Sequence, residues 1–135
     1  SQLHSTFDKY GDRVEFTQYD ALESVEFHLS YDIAMVPSLY SEGTSLSLLE
    51  AMSAGCACIA TDIGGLSNVV INRHNGILIR PIADDLHKAV SYMIDNEKER
   101  LYMAKNARQT IRDSFSSDMW AARWTQFLRE YYPAD

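Results

Sequence analysis

The chain has 135 residues, of which 46% are hydrophobic and 23% charged, and a formal net charge of −7. That length fits one domain with a real core, and the composition is ordinary for a soluble globular protein. No Lys/Arg cluster interrupts the negative charge, which argues against nucleic acid or an anionic membrane as partner, and no stretch approaches the roughly 20 apolar residues of a membrane span.

The opening residues, SQLHSTFDKYG, lack the basic and apolar regions of a signal peptide. Cys56 and Cys58 stand one residue apart in an apolar run. They are too close on one strand for an ordinary disulfide, and C-x-C alone is a poor zinc signal. Small buried thiols in a reducing compartment, the cytoplasm, are the expectation.

In chain order, residues 2–9 read as the tail of a helix closed near Gly11, and Val14 to Thr17 alternates as a strand does. Asp20 is placed to cap a helix over about 21–30, with Leu22, Val25, Phe27 and Leu29 as its apolar positions. Residues 32–36 are a short apolar run stopped by Pro37, as expected of a strand buried on both faces. A helix over about 44–54 follows, with Leu46, Leu49 and Met52 recurring, Leu48 widening the stripe and Gly55 terminating it.

Residues 57–61 form the next strand, Gly64-Gly65 a flexible turn before a brief helix, Asn75-Gly76 a turn, and residues 77–79 the fourth strand. Three helices close the chain: Asp84 to about Asn96 (Leu86, Val90 and Met93 inward), Glu97 to about Arg112 (Leu101, Ala104 and Ile111 inward), and Ser116 to about Tyr131. The last is rich in Trp120, Trp124, Phe127, Tyr131 and Tyr132, read first as core. His28, His74 and His87 have no partner at metal-ligand spacing and read as solvated. Strand–helix alternation with buried strands means a doubly wound, parallel, Rossmann-like α/β sheet.

The stretch that organises the rest is PSLYSEGTSLSLLEAMSAG, residues 37–55. A strand leads through a Glu-Gly turn into a helix N-terminus, a common device for holding phosphate. Glu42 and Glu50 lie eight residues apart across the turn. If both were helical, that spacing would separate them by about 80° and about 12 Å of rise. They suit two ends of one elongated ligand better than a pair of acids sharing a proton. Taken singly, each carboxylate also reads as an ordinary solvated Glu.

With the following CACIATDIGG, this stretch resembles the C-terminal, donor-binding half of GT-B glycosyltransferases of the large retaining family four. Those carry an E-x7-E motif in the setting P-S-x3-E-G-F-G-L-x-x-x-E-A-M-A-x-G, then P-V-V-A-T-x-x-G-G and N-G-x-L-V. Glu42 and Glu50, Ala60-Thr61, Gly64-Gly65 and Asn75-Gly76 match in order over roughly residues 10–115. The resemblance implies that residues 1–135 are one partial donor-binding domain. It also implies a nucleotide-diphosphate sugar as donor, no metal and no further cofactor.

Position by position, it implies that Glu50 accepts hydrogen bonds from the ribose hydroxyls. Glu42, the candidate catalytic residue, would face the donor sugar, and the backbone N–H groups of Gly43, Thr44, Ser45 and Leu46 would point at sugar and diphosphate. A carboxylate can hold a vicinal diol by two charge-assisted bonds, and a helix start favours anions. Gly64 and Gly65 are either turn residues or ligand-facing. The final helix, about 117–132, would cross back onto an N-terminal domain, an alternative to the core reading of its aromatics.

Four positions depart from the family pattern: Thr44 and Ser45 replace Phe-Gly, and Ser67 and Asn68 replace Pro-Glu, with Asn68 still able to cap the short helix. Two preceding strands of the family, with a G-R turn and a Lys that neutralise the diphosphate, have no counterpart here, nor has the acceptor domain. The chain alone is therefore expected to be incomplete and inactive. Its partners would be the nucleotide sugar, an unknown acceptor, and an N-terminal half or another chain, with any peripheral membrane contact made by parts outside this stretch. The alternative function is a non-catalytic nucleotide-sugar binding module working with a partner chain.

The gap also poses a question for the sheet. In the order 3-2-1-4-5-6, the strand at 14–17 would lie two places from that at 32–36 with nothing between. Either the sequence is an excerpt, or the first strand re-pairs, or another chain fills the gap. A monomer with residues 32–36 open and unpaired on one side would refute this expectation.

Overall fold

The computed structural model describes residues 2–132. Three parallel strands, β1 (Ile33–Val36), β2 (Ala57–Thr61) and β3 (Ile77–Ile79), form one sheet in the order β1-β2-β3. Ile33 to Val36 pair with Ala57 to Ala60, and Ile59 to Thr61 with Ile77 to Ile79. The helices are α1 (Gln2–Phe7), α2 (Ser24–Leu29), α3 (Leu46–Ala54), α4 (Ala83–Asp95), α5 (Glu97–Thr110) and α6 (Ser117–Tyr131). Two 3-10 turns, Asp8–Arg13 and Gly64–Asn68, and a π-helical turn, Ile111–Phe115, complete the elements.

β2 is buried along its whole length, as a continuous apolar run between two helical layers should be. Its alternate side chains feed two cores. Cys58 and Ala60 pack with Leu48, Ala51 and Met52 of α3 on one face, while Ala57 and Ile59 pack with Ala89 and Met93 of α4 on the other. α5 closes both, giving Ala107 to the first core and Met103 and Ala104 to the second. This is the expected doubly wound arrangement. Cys56 and Cys58 are free and buried, with burial pushing both thiols up from their ordinary pKa.

Several expectations are corrected. Residues 14–20 form no strand and do not re-pair, so β1 has no strand on its outer side among the described residues. The alternation in Val14–Thr17 is real, but a strand exists only where a neighbour completes its ladder. β1 is accordingly not buried on both faces, and Met35 is half exposed.

α2 starts at Ser24 rather than 21, and Asp20 bonds the Glu23 amide through its carbonyl instead of capping the helix. The buried face of α2 is Ser24 and His28, while Leu22, Val25 and Leu29 are exposed. His28 is thus not solvated: its Nδ1 lies 2.6 Å from the Ser24 carbonyl oxygen, and its own carbonyl accepts from the Cys56 thiol at 3.2 Å. Leu46 and Leu101 also face outward. Ile63, not Asn68, occupies the N-cap of the 3-10 turn, and Asn68 is its last residue. α6 buries no residue, so its aromatics are not core of this chain.

Two contacts fix the connection between β2 and β3, one at the amino end of β3 and one at the carboxyl edge of the sheet. Asn75, fully buried, donates through Nδ2 to the Val69 carbonyl at 3.1 Å and to Thr110 Oγ1 at 3.0 Å, and its Oδ1 accepts from the Ile71 amide at 2.6 Å. It ties the loop entering β3 to the last turn of α5. Gly64, at φ 54°, lies so close to the Glu42 backbone that a Cβ there would sit 2.1 Å from the Glu42 carbonyl oxygen.

Replacing Asn75 by Ala removes three hydrogen bonds, leaves the Val69 carbonyl without this buried donor and should cost about 3 kcal/mol, read as a lower denaturant midpoint at unchanged slope. Gly64→Ala adds backbone strain to a clash with main chain and should cost about 3 kcal/mol in the same measurement.

Candidate active site

The residues singled out by sequence collect beyond the carboxyl ends of β1 and β2. In an open α/β sheet this edge is where ligands bind. Pro37 ends β1, and the chain leaves through Ser38, whose carbonyl oxygen accepts a hydrogen bond from Thr61 Oγ1 at 2.8 Å. Thr61 is the last residue of β2 and is 1% exposed. The loop then runs through the exposed Leu39 and Tyr40 to Glu42.

Glu42 is held twice. Its carbonyl oxygen accepts the Gly65 amide at 2.9 Å, and its side-chain Oε2 accepts the Ser38 hydroxyl at 2.8 Å. Gly64 and Gly65 form the wall behind it: a Cβ on Gly65 would lie 2.7 Å from the Gly43 carbonyl oxygen. The two motifs, 22 residues apart in sequence (42 to 64), are therefore in backbone contact. These glycines serve close packing of the two turns.

Gly43 is different. A Cβ there would meet nothing within 4 Å, and its φ is not in the left-handed region. Each of the other five glycines has either a crowded Cβ position or a positive φ, so Gly43 alone has no reason within this chain to be glycine. Gly43 and Thr44 are exposed.

Ser45 is the N-cap of α3, with extended backbone (φ −71°, ψ 116°) and a side chain that accepts from the Leu48 amide at 3.3 Å. Where its side chain would intrude on a ligand if it pointed outward, it is folded back onto the helix. α3 therefore begins at Leu46 rather than 44. The amides of Leu46 and Ser47, as the first of the helix, have no intrahelical acceptor. Glu50 lies on the second turn of α3, half buried, and accepts no protein hydrogen bond among the described residues.

Two recesses lie nearby. One of about 210 Å³ is lined by Pro37, Leu39, Thr61, Ile79, Pro81 and Ile82, at the same carboxyl edge. Another, of about 430 Å³, surrounds Arg73, Arg80, Asp85 and Lys88 along β3 and shares no residue with the Glu42 turn. Its cations are engaged: Arg73 lies over the Tyr92 ring at 4.0 Å, Arg80 pairs with Asp85 at 2.8 Å and Lys88 with Asp84 at 2.6 Å. The Arg80 hydrogen bond holds the Asp85 carboxyl below its usual range.

The structure thus brings Glu42, Gly43, Thr44, Ser45, Leu46, Gly64 and Gly65 together and sets Glu50 one helical turn beyond. Sequence reasoning gave no role to Ser38 or Thr61. A Ser four residues before a Glu in a loop carries no periodic signal, so only the fold reveals that bond.

Among known proteins, the family described as Glycosyl transferases group 1 matches residues 2–110. The N,N'-diacetylbacillosaminyl-diphospho-undecaprenol alpha-1,3-N-acetylgalactosaminyltransferase of Campylobacter jejuni is 37% identical over 86 residues, 63% of this chain and 23% of that protein. Sucrose-phosphate synthase from Thermosynechococcus elongatus superposes with a TM-score of 0.87 at 28% identity, over 99% of this chain and 34% of its own. HepE from Anabaena, solved in complex with UDP-glucose, gives 0.85 at 22% identity over 96% of this chain and 36% of its own, a likeness of fold alone. The chain spans about a quarter of the length of the curated relatives it matches. No helix among the described residues is long and apolar enough to cross a membrane. A matching family over most of the chain, together with the parallel sheet and its Glu42 turn, places this chain in the GT-B glycosyl transferases of group 1.

Proposed function

We propose that this chain is the donor-binding part of a retaining, metal-independent glycosyltransferase that uses a nucleotide-diphosphate sugar. Gly43 is the observation that carries the reading. A glycine that its own chain does not require, exposed between a fixed carboxylate and a helix start, is what close approach of a ligand to backbone demands.

The diphosphate lies over Gly43 to Leu46, where amides without acceptors and the N-terminal end of α3 favour negative charge. Glu50, half buried and with no hydrogen-bond partner among the described residues, accepts from the ribose hydroxyls. Glu42 faces the donor sugar near the reacting carbon, as the catalytic residue. Departure of the nucleoside diphosphate requires positive charge nearby. The arginines of the β3 recess are engaged elsewhere, so that charge comes from a segment beyond this chain, which also supplies the strand beside β1 and the acceptor domain. The exposed aromatic face of α6 packs on that acceptor domain. The reaction takes place in the cytoplasm.

In the full-length protein, Glu50→Ala should raise the donor KM by roughly 10- to 100-fold, the size expected for losing charge-assisted hydrogen bonds. Steady-state kinetics with UDP-, GDP- and ADP-sugars measures it. Unchanged donor kinetics would remove Glu50 from the ribose.

A further inference from the structure

We infer that Ser38 is a positioning residue: its hydroxyl holds the Glu42 carboxylate in place, and Thr61 holds Ser38. This rests on the proposal that Glu42 faces the donor sugar.

The segment from Pro37 to Ser45 has no helix or strand of its own. A glutamate in such a loop would ordinarily sample many rotamers and follow the loop's motion. Three hydrogen bonds prevent that here. Thr61 Oγ1, at the buried end of β2, donates to the Ser38 carbonyl at 2.8 Å. The Gly65 amide donates to the Glu42 carbonyl at 2.9 Å. The Ser38 hydroxyl donates to Glu42 Oε2 at 2.8 Å and closes a side-chain bridge across the loop.

The two backbone anchors belong to one rigid connection, the end of β2 and the 3-10 turn after it. Glu42 is therefore referenced to the sheet rather than to its loop. A hydroxyl donating to a carboxylate is a charge-assisted bond, stronger than a neutral pair. It engages Oε2, while Oε1 accepts no protein hydrogen bond among the described residues. One oxygen is thus fixed by the protein and the other is available to the sugar. Proline at 37 restricts φ just before the serine, which further narrows the approach of Oγ.

The bond acts on the sugar end of the donor and not on the nucleotide. The Ser38→Ala variant of the full-length protein should therefore lower kcat roughly 10- to 100-fold, the scale of a small misplacement of a reacting group. Affinity for UDP, GDP or ADP, measured by calorimetry for the one that the wild type binds best, should stay within about threefold. Ser38→Thr keeps the hydroxyl and should restore most of the turnover. Thr61→Val should show the same split with a smaller loss.

Wild-type kcat in Ser38→Ala while Glu42→Gln is inactive would overturn the inference and leave the role of Glu42 standing. A loss of kcat matched by an equal loss of nucleotide affinity would also overturn it, since general collapse of the turn acts on both. Wild-type turnover in Glu42→Gln would remove the underlying reading and this one with it. If Ser38→Ala does not fold, as judged by its melting curve, Ser38→Cys keeps the volume with a weak donor and gives the same discrimination.

Discussion

The arrangement of this molecule depends on one backbone contact, the seating of Gly64-Gly65 against Glu42-Gly43. A hydrogen bond from the Gly65 amide to the Glu42 carbonyl joins the loop after β1 to the turn after β2. Side chains at 64 and 65 would push the two apart by the width of a methyl group, because what they meet is main chain and cannot rotate aside. The layout of the carboxyl edge is a consequence of that contact. Gly43 is exposed, and Ser45 is set to cap α3. The turn is itself supported from behind, since Asn75 pins the exit of the 3-10 segment to α5.

Glycines at the site therefore fall into two physical kinds. Gly64 and Gly65 are small because protein backbone lies against them, and removing that freedom would damage the fold whether or not a ligand exists. Gly43 is small although a Cβ added to it would meet nothing within 4 Å among the described residues. Sequence alone could not separate the kinds, because both appear as glycines beside a turn. Distances do separate them: main chain lies against the Cβ positions of Gly64 and Gly65 and not against that of Gly43.

The parts legible in the sequence were those set by local pattern plus burial. The run Ala57 to Thr61 read as a strand and is a fully buried one, and Gly55 read as the end of α3 and sits there at φ 89°. E-x7-E was legible because its two acids flank a turn whose neighbours also matched. What failed was orientation. Leu22, Val25 and Leu29 looked like an inward stripe of α2, yet Ser24 and His28 face inward, satisfied by local carbonyls. Apolar periodicity reports that some surface covers a helix face, not that the surface belongs to the same chain. The alternation at Val14 to Thr17 failed for a related reason, since a strand is a property of a pair.

The central layer is close packed, with Leu48, Met52, Ile59 and Met93 at 0–1% exposure. The misread apolar residues lie at the surface, most of them at or just before α2, on β1 and on α6, with Leu46 of α3 and Leu101 of α5 besides. On α6 the residues at 120, 124, 127 and 131 advance by three or four and form a continuous aromatic ladder, with ring centroids 4.7–6.0 Å apart. Rings in tilted and edge-to-face contact along one helix face gain from each other only part of what burial would give, because their outer faces still meet water. The chain spans about a quarter of its relatives' length, and exposed apolar side chains such as Leu46, Ile71, Ile94 and Trp120 surround the packed centre. The Glu42 turn is exposed at Leu39, Tyr40, Gly43 and Thr44. Its backbone is nonetheless held by hydrogen bonds from Thr61, at the end of β2, and Gly65, in the turn after it, so its geometry is set by contacts within this chain.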